Sequence, residues 1–155
     1  KKHIIFIEGN QFANDFNGLV PPWDNNMVYS FHKYWNPATQ ETIEKYINIR
    51  EVNNAPLWMG ESGENNNEWY RNAVTLFESN NIGWAWWTIK KIGSNSGIMN
   101  VTTPKGYQTI IDFWAGKGPK PSESEALAIL MELTENVKLE NCKINYDVLN
   151  ALFKK

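Results

Sequence analysis

Four short runs of branched and aromatic residues punctuate the chain, at Ile4 to Ile7, Val28 to Tyr34, Leu57 to Gly60 and Gly83 to Ile89. Near-continuous apolar character over so few positions predicts strands buried on both faces. Between the second and third runs, Ile43, Tyr46, Ile47 and Val52 follow a helical stripe over Thr39 to Val52, and Asn53-Asn54-Ala55-Pro56 stops it. A second helix is predicted over Glu68 to Ser79, with Trp69, Tyr70, Ala73, Val74, Leu76 and Phe77 on its apolar face. After a polar loop from Gly93 to Thr103, Pro104 opens a third helix whose buried stripe is Tyr107, Ile110, Ile111 and Trp114. The connection from Gly9 to Asn26 is rich in Asn, Gly and Pro, which predicts a long loop with at most a short helix.

Strand followed by helix, repeated, predicts parallel strands joined by right-handed crossovers. Four such units are present, whereas a complete (β/α)8 barrel takes about 250 residues, so the fold expected is α/β and half a TIM barrel. A doubly wound open sheet would fit the same pattern, but no strand-to-helix junction carries the glycine-rich phosphate turn that usually opens one. The half-barrel is assigned to residues 1–118. The tail, residues 119–155, is expected to be a helical extension. In it Ser122 and Glu125 form a capping box ahead of Ala126, Leu127, Ile129, Leu130 and Leu133, and Val148, Leu149, Leu152 and Phe153 mark a last helix.

Composition narrows the partners. The 155 residues are 42% hydrophobic and 21% charged, as in a soluble globular chain, and carry a formal net charge of -2. That balance offers no basic field for nucleic acid or an anionic membrane, and no apolar run approaches the roughly 20 residues that cross a bilayer. Cys142 is alone, so it makes neither an internal disulfide nor a thiolate cluster, and it reads as a small buried hydrophobe. No metal or other cofactor is implied, because His32 lacks a second His at ligand spacing and His3 is isolated. Aromatic residues make up 14% of the chain, more than a core of this size needs, and flat rings with polar edges suit sugars.

Side chains alternate along a strand, so residues two apart share a face. Val28, Ser30, His32 and Tyr34 then lie together while Tyr29 and Phe31 face the helices. By the same count Leu57, Met59 and Glu61 share a side, as do Gly83, Ala85 and Trp87, and Ile4, Phe6 and Glu8. His32, Tyr34, Glu61, Trp87 and Glu8 all fall at strand C-terminal ends, the catalytic rim of a barrel. Trp84 and Trp86 are expected to pack under helices, and Glu44, Glu64, Glu68 and Glu78 to be solvated charges.

The ordered set Tyr29-Ser30-Phe31-His32-Lys33-Tyr34, Trp58-Met59-Gly60-Glu61-Ser62-Gly63 and Trp84-Ala85-Trp86-Trp87 resembles strands six, seven and eight of glycoside hydrolase family 5 cellulases. Coverage runs from Lys1 to about Gly118, which makes the first strand the counterpart of strand five and the chain the C-terminal half of the barrel. The resemblance implies a retaining, endo-β-1,4-glucanase-like hydrolase that cleaves β-linked polysaccharide through a covalent glycosyl-enzyme intermediate. Glu61 matches the nucleophile, Tyr34 would donate a hydrogen bond to it, and His32 would hold sugar hydroxyls or the acid. Trp87 would supply the floor under the sugar, Lys90 would reach a neighbouring hydroxyl, and Trp35 and Trp23 are weaker stacking candidates. In the family the acid/base Glu follows an Asn at the end of strand four, which this chain does not contain. Asn67-Glu68 is in the wrong order to replace it, and Glu8 is expected to make a substrate contact or a structural hydrogen bond.

A four-strand half-barrel would leave two unpaired strand edges and an uncovered inner face. A partner is therefore expected, either the missing N-terminal half of a longer enzyme or a second copy of the chain, and the fragment alone is expected to be inactive. Two other classes fit the aromatics: a non-catalytic carbohydrate-binding module and an inactive half-barrel interaction domain. The resemblance further implies a secreted or periplasmic protein.

Overall fold

In the computed structural model, which describes Lys2 to Lys154, the chain divides into two compact units. One runs to Thr88 and takes up the chain again from Asp147; the other is Ile89–Tyr146. That division falls elsewhere than the boundary near Gly118 suggested by the proline- and glycine-rich stretch.

The first unit is a four-stranded parallel sheet in the order β1 (Ile5–Glu8), β2 (Met27–Lys33), β3 (Leu57–Ser62), β4 (Gly83–Trp84). Strand order equals chain order, as in a barrel whose neighbours are joined by crossovers. Helices α2 (Glu44–Asn53) and α3 (Asn67–Ser79) make two of those crossovers. Asn54, in the left-handed region at φ +47, closes α2 ahead of Pro56, which is the stop that the Asn-Asn-Ala-Pro run predicts. Asn66 caps α3 by accepting from the Trp69 amide.

The helix-facing side of the sheet holds the core. Tyr29, Phe31, Met59 and Phe77 are fully buried, with Tyr46 and Ile43 from the α2 region beside them. The Phe31 and Tyr46 rings stack at 4.1 Å, and Phe77 meets Phe31 edge-on at 6.2 Å. Burying a Phe- or Met-sized side chain contributes roughly 1.5–3 kcal/mol, so these rings anchor the sheet to its helices. The opposite face is open: Ile4 is 65% and Phe6 53% exposed. Phe6 and Trp58 touch edge-to-face at 5.9 Å on that side.

One expectation needs correction. The fourth strand is only Gly83–Trp84; beyond it the chain follows β3 through single bonds, Ala85 N to Met59 O and Trp87 N to Ser62 O. An edge segment with a ladder on one side only has no second set of bonds to keep it regular. The connection after β1 is the long loop expected, and its one short turn, α1 (Asn10–Ala13), is left-handed, with Gln11 and Phe12 at φ +51 and +57. Trp84 and Trp86 do pack inward as expected, against each other, and Trp84 also meets Phe153 of α6 (Tyr146–Phe153).

In the second unit β5 (Lys90–Ile92), β6 (Met99–Val101) and β7 (Lys143–Ile144) form a small sheet, and β6 lies inside the stretch expected to be loop. Helices α4 (Tyr107–Trp114) and α5 (Glu123–Asn136) follow, and Ser122 and Glu125 make the reciprocal capping box. Cys142 is half-buried, not buried, with Sγ 3.2 Å from the Lys138 carbonyl oxygen near the end of α5. No helix among the described residues is long and apolar enough to cross a membrane.

Candidate active site

The site is built at the C-terminal ends of β2 and β3, and a bulge decides its geometry. Phe31 pairs with Met59, but His32 pairs with Glu61, so Gly60 is an extra residue in β3. Strict alternation would put Glu61 on the side of Leu57 and Met59, both of which are buried in the core. One inserted residue reverses the parity and turns Glu61 to the open face. The expected grouping of Leu57, Met59 and Glu61 is thus wrong, while the expected meeting of Glu61 with His32 and Tyr34 holds. Glycine is required at the bulge, since a Cβ on Gly60 would stand 2.3 Å from Ser30 Oγ and 3.1 Å from Glu8 Oε1.

Around Glu61 the partners are short-range and directional. The Tyr34 hydroxyl donates to Glu61 Oε2 at 2.8 Å, and His32 Nδ1 stands 3.5 Å from the same oxygen. His32 Nε2 lies 3.1 Å from Glu8 Oε1, within hydrogen-bond reach of it. Ser30 Oγ also donates to Glu8 Oε1, at 3.3 Å. Glu8 therefore makes a structural hydrogen bond of the kind expected for it, orienting the imidazole. Burial raises the Tyr34 hydroxyl pKa, and the hydrogen bond to Glu61 and the charge of Glu61 raise it further, so the phenol remains a donor throughout the neutral range.

Beside these groups lies a cavity of about 550 Å³, inside the 300–1,000 Å³ range of small-molecule sites. His32, Tyr34, Trp35 and Glu61 line it, as the sequence leads one to expect, together with Phe12, Asn14, Lys33, Asn36 and Glu64, which the sequence did not single out. Glu64, expected to be a solvated loop charge, lies in a loop and lines this cavity. A signal was available in the sequence: Glu64 follows Gly63, and the pair turns the chain at φ +142 and +52 directly after β3.

The Trp35-Asn36 segment is anchored from below. Lys33 is 4% exposed and donates from Nζ to Asn36 Oδ1, Pro37 O and Thr42 Oγ1 at 2.6–2.7 Å. Burial pushes its ammonium pKa down to about 8. Trp69 Nε1 donates to the Asn36 carbonyl at 2.9 Å, and Asn65 Nδ2 to the Tyr34 carbonyl at 3.1 Å. Trp35 itself stays 75% exposed at the cavity rim.

The other expected contacts, Trp87, Trp23 and Lys90, are not among the residues that line this cavity. Trp87 follows Ser62 and Gly63 by a backbone bond and a bridge, with its ring half-exposed and its peptide to Thr88 cis. Trp23 is exposed on the β1–β2 connection and does not line the cavity. Lys90 belongs to the second unit, where its ammonium donates to the Val137 carbonyl at 2.5 Å, an engagement that competes with the sugar contact expected of it.

A comparison of the sequence with family profiles matches Cellulase (glycosyl hydrolase family 5) over residues 1–93. The chain belongs to this family. Its fold is shared with the Clostridial cellulose synthase subunit Z of Clostridioides difficile, at 20% identity and a TM-score of 0.55, covering 99% of this chain and 50% of that one. It is equally similar to Cel5A of Thermotoga maritima, solved in complex with cellobiose, at 17% identity and a TM-score of 0.56, over 99% of this chain and 49% of that one. The chain thus spans about half the length of these solved structures, as a partial barrel does. No curated protein matches the sequence.

Proposed function

We propose that this family 5 chain forms the C-terminal half of the catalytic barrel of a retaining, endo-β-1,4-glucanase-like hydrolase, with Glu61 as the nucleophile. The observation that carries the reading is a bulge-directed carboxylate held at 2.8 Å by a phenol, beside an imidazole, in a sugar-sized cavity. The Tyr34 bond holds Oε2 and leaves Oε1 to meet the anomeric carbon. Attack forms a glycosyl ester on Glu61 as the bond to the departing oxygen breaks and that oxygen takes a proton from the acid/base. Water then attacks the same carbon, gives its proton back to the acid/base, and releases Glu61 as a carboxylate. The acid/base must stand roughly 5 to 5.5 Å from Glu61, and by family resemblance it comes from strand four. Trp87 and Trp35 supply apolar faces for the sugar rings, and His32, oriented by Glu8, supplies a polar edge.

The open inner face of the sheet supports a further part of the reading: four more strands, from an N-terminal half or a second copy of the chain, cover Ile4, Phe6 and Trp58. Sedimentation of the purified chain tests it, since a monomer at micromolar concentration would exclude the second copy. A polymeric glucan is met outside the cell or in the periplasm, where we place the protein.

Glu61→Gln in the completed barrel separates hydrolysis from binding. Loss of hydrolysis with retained oligosaccharide binding supports the nucleophile; unchanged hydrolysis overturns it. Binding by both proteins with hydrolysis by neither favours a carbohydrate-binding module.

A further inference from the structure

Tyr34 lies one residue past the end of β2, yet its hydroxyl meets Glu61 Oε2 at 2.8 Å. The ladder that pairs β2 with β3 ends at Lys33 and Ser62, so strand register no longer fixes the Tyr34 backbone. The chain after β3 does. Gly63 at φ +142 and Glu64 at φ +52 reverse it directly beyond the strand. A side chain on Gly63 would run into the Trp87 carbonyl oxygen, so the reversal needs glycine there. The turn delivers Asn65 to the neighbouring strand end, where Nδ2 donates to the Tyr34 carbonyl at 3.1 Å. Asn65 is itself held at two further points. Its backbone amide donates to the Tyr70 hydroxyl at 3.0 Å, and its Oδ1 accepts from the Asn66 amide at 2.9 Å.

Those holds reach back into the core. Tyr70 is fully buried on α3 and meets Trp86 edge-on, with ring centroids 4.9 Å apart. Asn66 caps the same helix. Asn65 therefore stands between a packed helix start and the residue that carries the phenol. A peptide unit is planar, so holding the Tyr34 carbonyl fixes the plane that joins Tyr34 to Trp35. The Tyr34 Cα lies in that plane, and the phenol hangs from it. Small misplacements of a reacting or supporting group cost rate even when their source is remote from the chemistry. Asn65 is not among the residues that line the cavity, so any effect it has on the site passes through Tyr34. We propose that Asn65 is a positioning residue of the hydrolase, holding the Tyr34 peptide so that the phenol stays on Glu61 Oε2 and the other carboxylate oxygen stays aimed at the sugar. The proposal rests on the reading of Glu61 as the nucleophile and adds the residue that keeps its hydrogen-bond donor in place.

A double-mutant cycle with Tyr34→Phe in the completed enzyme, read by hydrolysis of an aryl cellobioside, tests this. Asn65→Ala should lower kcat about two- to tenfold, the weight of one hydrogen bond, with KM within about twofold of wild type. In the Tyr34→Phe background the same substitution should change kcat by less than about twofold, because the bond it serves is already gone. A merely structural role would lower both backgrounds alike. Equal losses in the two backgrounds, or no loss in either, would overturn the role of Asn65 and leave the Glu61 reading standing. Hydrolysis unchanged in Glu61→Gln would overturn both. Should Asn65→Ala fail to fold, Asn65→Asp carries the same cycle with the same expected result, since it keeps the acceptor for the Asn66 amide and lacks the donor to Tyr34.

Discussion

Gly60→Ala offers a sharp physical test of the site, because the bulge that aims Glu61 depends on a residue without Cβ. The added carbon would stand 2.3 Å from Ser30 Oγ, closer than real carbon contacts come, and 3.1 Å from Glu8 Oε1. Ser30 is 2% exposed, so its hydroxyl has little room to swing aside. Forcing one carbon into such a space costs typically about 1–3 kcal/mol. For a chain of 155 residues, each kcal/mol moves the melting temperature by about 2–4 °C, which gives an expected drop of about 2–12 °C. Removing the obstacle should reverse it. In Gly60→Ala/Ser30→Ala the nearest remaining atom is the end of the flexible Glu8 side chain, which is half-exposed. Ser30→Ala alone gives up one long hydrogen bond to Glu8, worth about 0.5–1.5 kcal/mol. Thermal melts followed by near-ultraviolet circular dichroism of the four proteins close the cycle. The reasoning fails if Gly60→Ala melts with wild type, or if the double variant melts as low as Gly60→Ala.

Three further outcomes follow from the same geometry. Tyr34→Phe removes the donor to Glu61 Oε2 and should lower kcat/KM of the completed enzyme about ten- to a hundredfold, the weight of a hydrogen bond to a charged group; activity within twofold of wild type would remove Tyr34 from the mechanism. Lys33 has a folded pKa of about 8 against 10.5 when unfolded, so between those values the unfolded chain binds more protons and stability rises with pH. Wild type measured against Lys33→Met by urea denaturation should therefore gain stability from pH 8 to 10.5, and a flat difference would contradict the buried ammonium. Tyr46 is the opposite case: its pKa is pushed by burial from 10.0 up to about 12, so its contribution is complete below pH 10 and lost as pH rises through 12. Relative to Tyr46→Phe, wild type should lose stability across that window, and a parallel pair of curves would argue against it.

Much of this site was legible because period-two alternation and strand order are written in the residues. Tyr29 and Phe31 facing helices forces His32 and Tyr34 to the other side, and the apolar runs place both at strand ends. The bulge was not legible. Gly60 satisfies an apolar strand as well as a bulged one, and only the register shift opposite Phe31 and His32 tells the two apart. Phe12 was hidden for a similar reason: its orientation comes from Asn14 and Tyr46, 32 residues apart, and no periodicity marks a left-handed turn. The Gly93 to Thr103 stretch concealed β6 because a three-residue strand is too short to show a pattern. Lys90 illustrates a different limit, since proximity in sequence to Trp87 says nothing of the Val137 carbonyl that its ammonium meets.

The most direct test of the nucleophile is to trap it. A cellobioside carrying fluorine at the sugar 2-position and an activated leaving group slows the second step of a retaining hydrolase, so the glycosyl ester accumulates. Incubated with the completed barrel and mapped by peptide mass spectrometry, it should add one glycosyl mass to the peptide containing Trp58-Met59-Gly60-Glu61, with the site of attachment at Glu61. Attachment to a different carboxylate, or turnover by the enzyme with inversion at the anomeric carbon, would contradict the account.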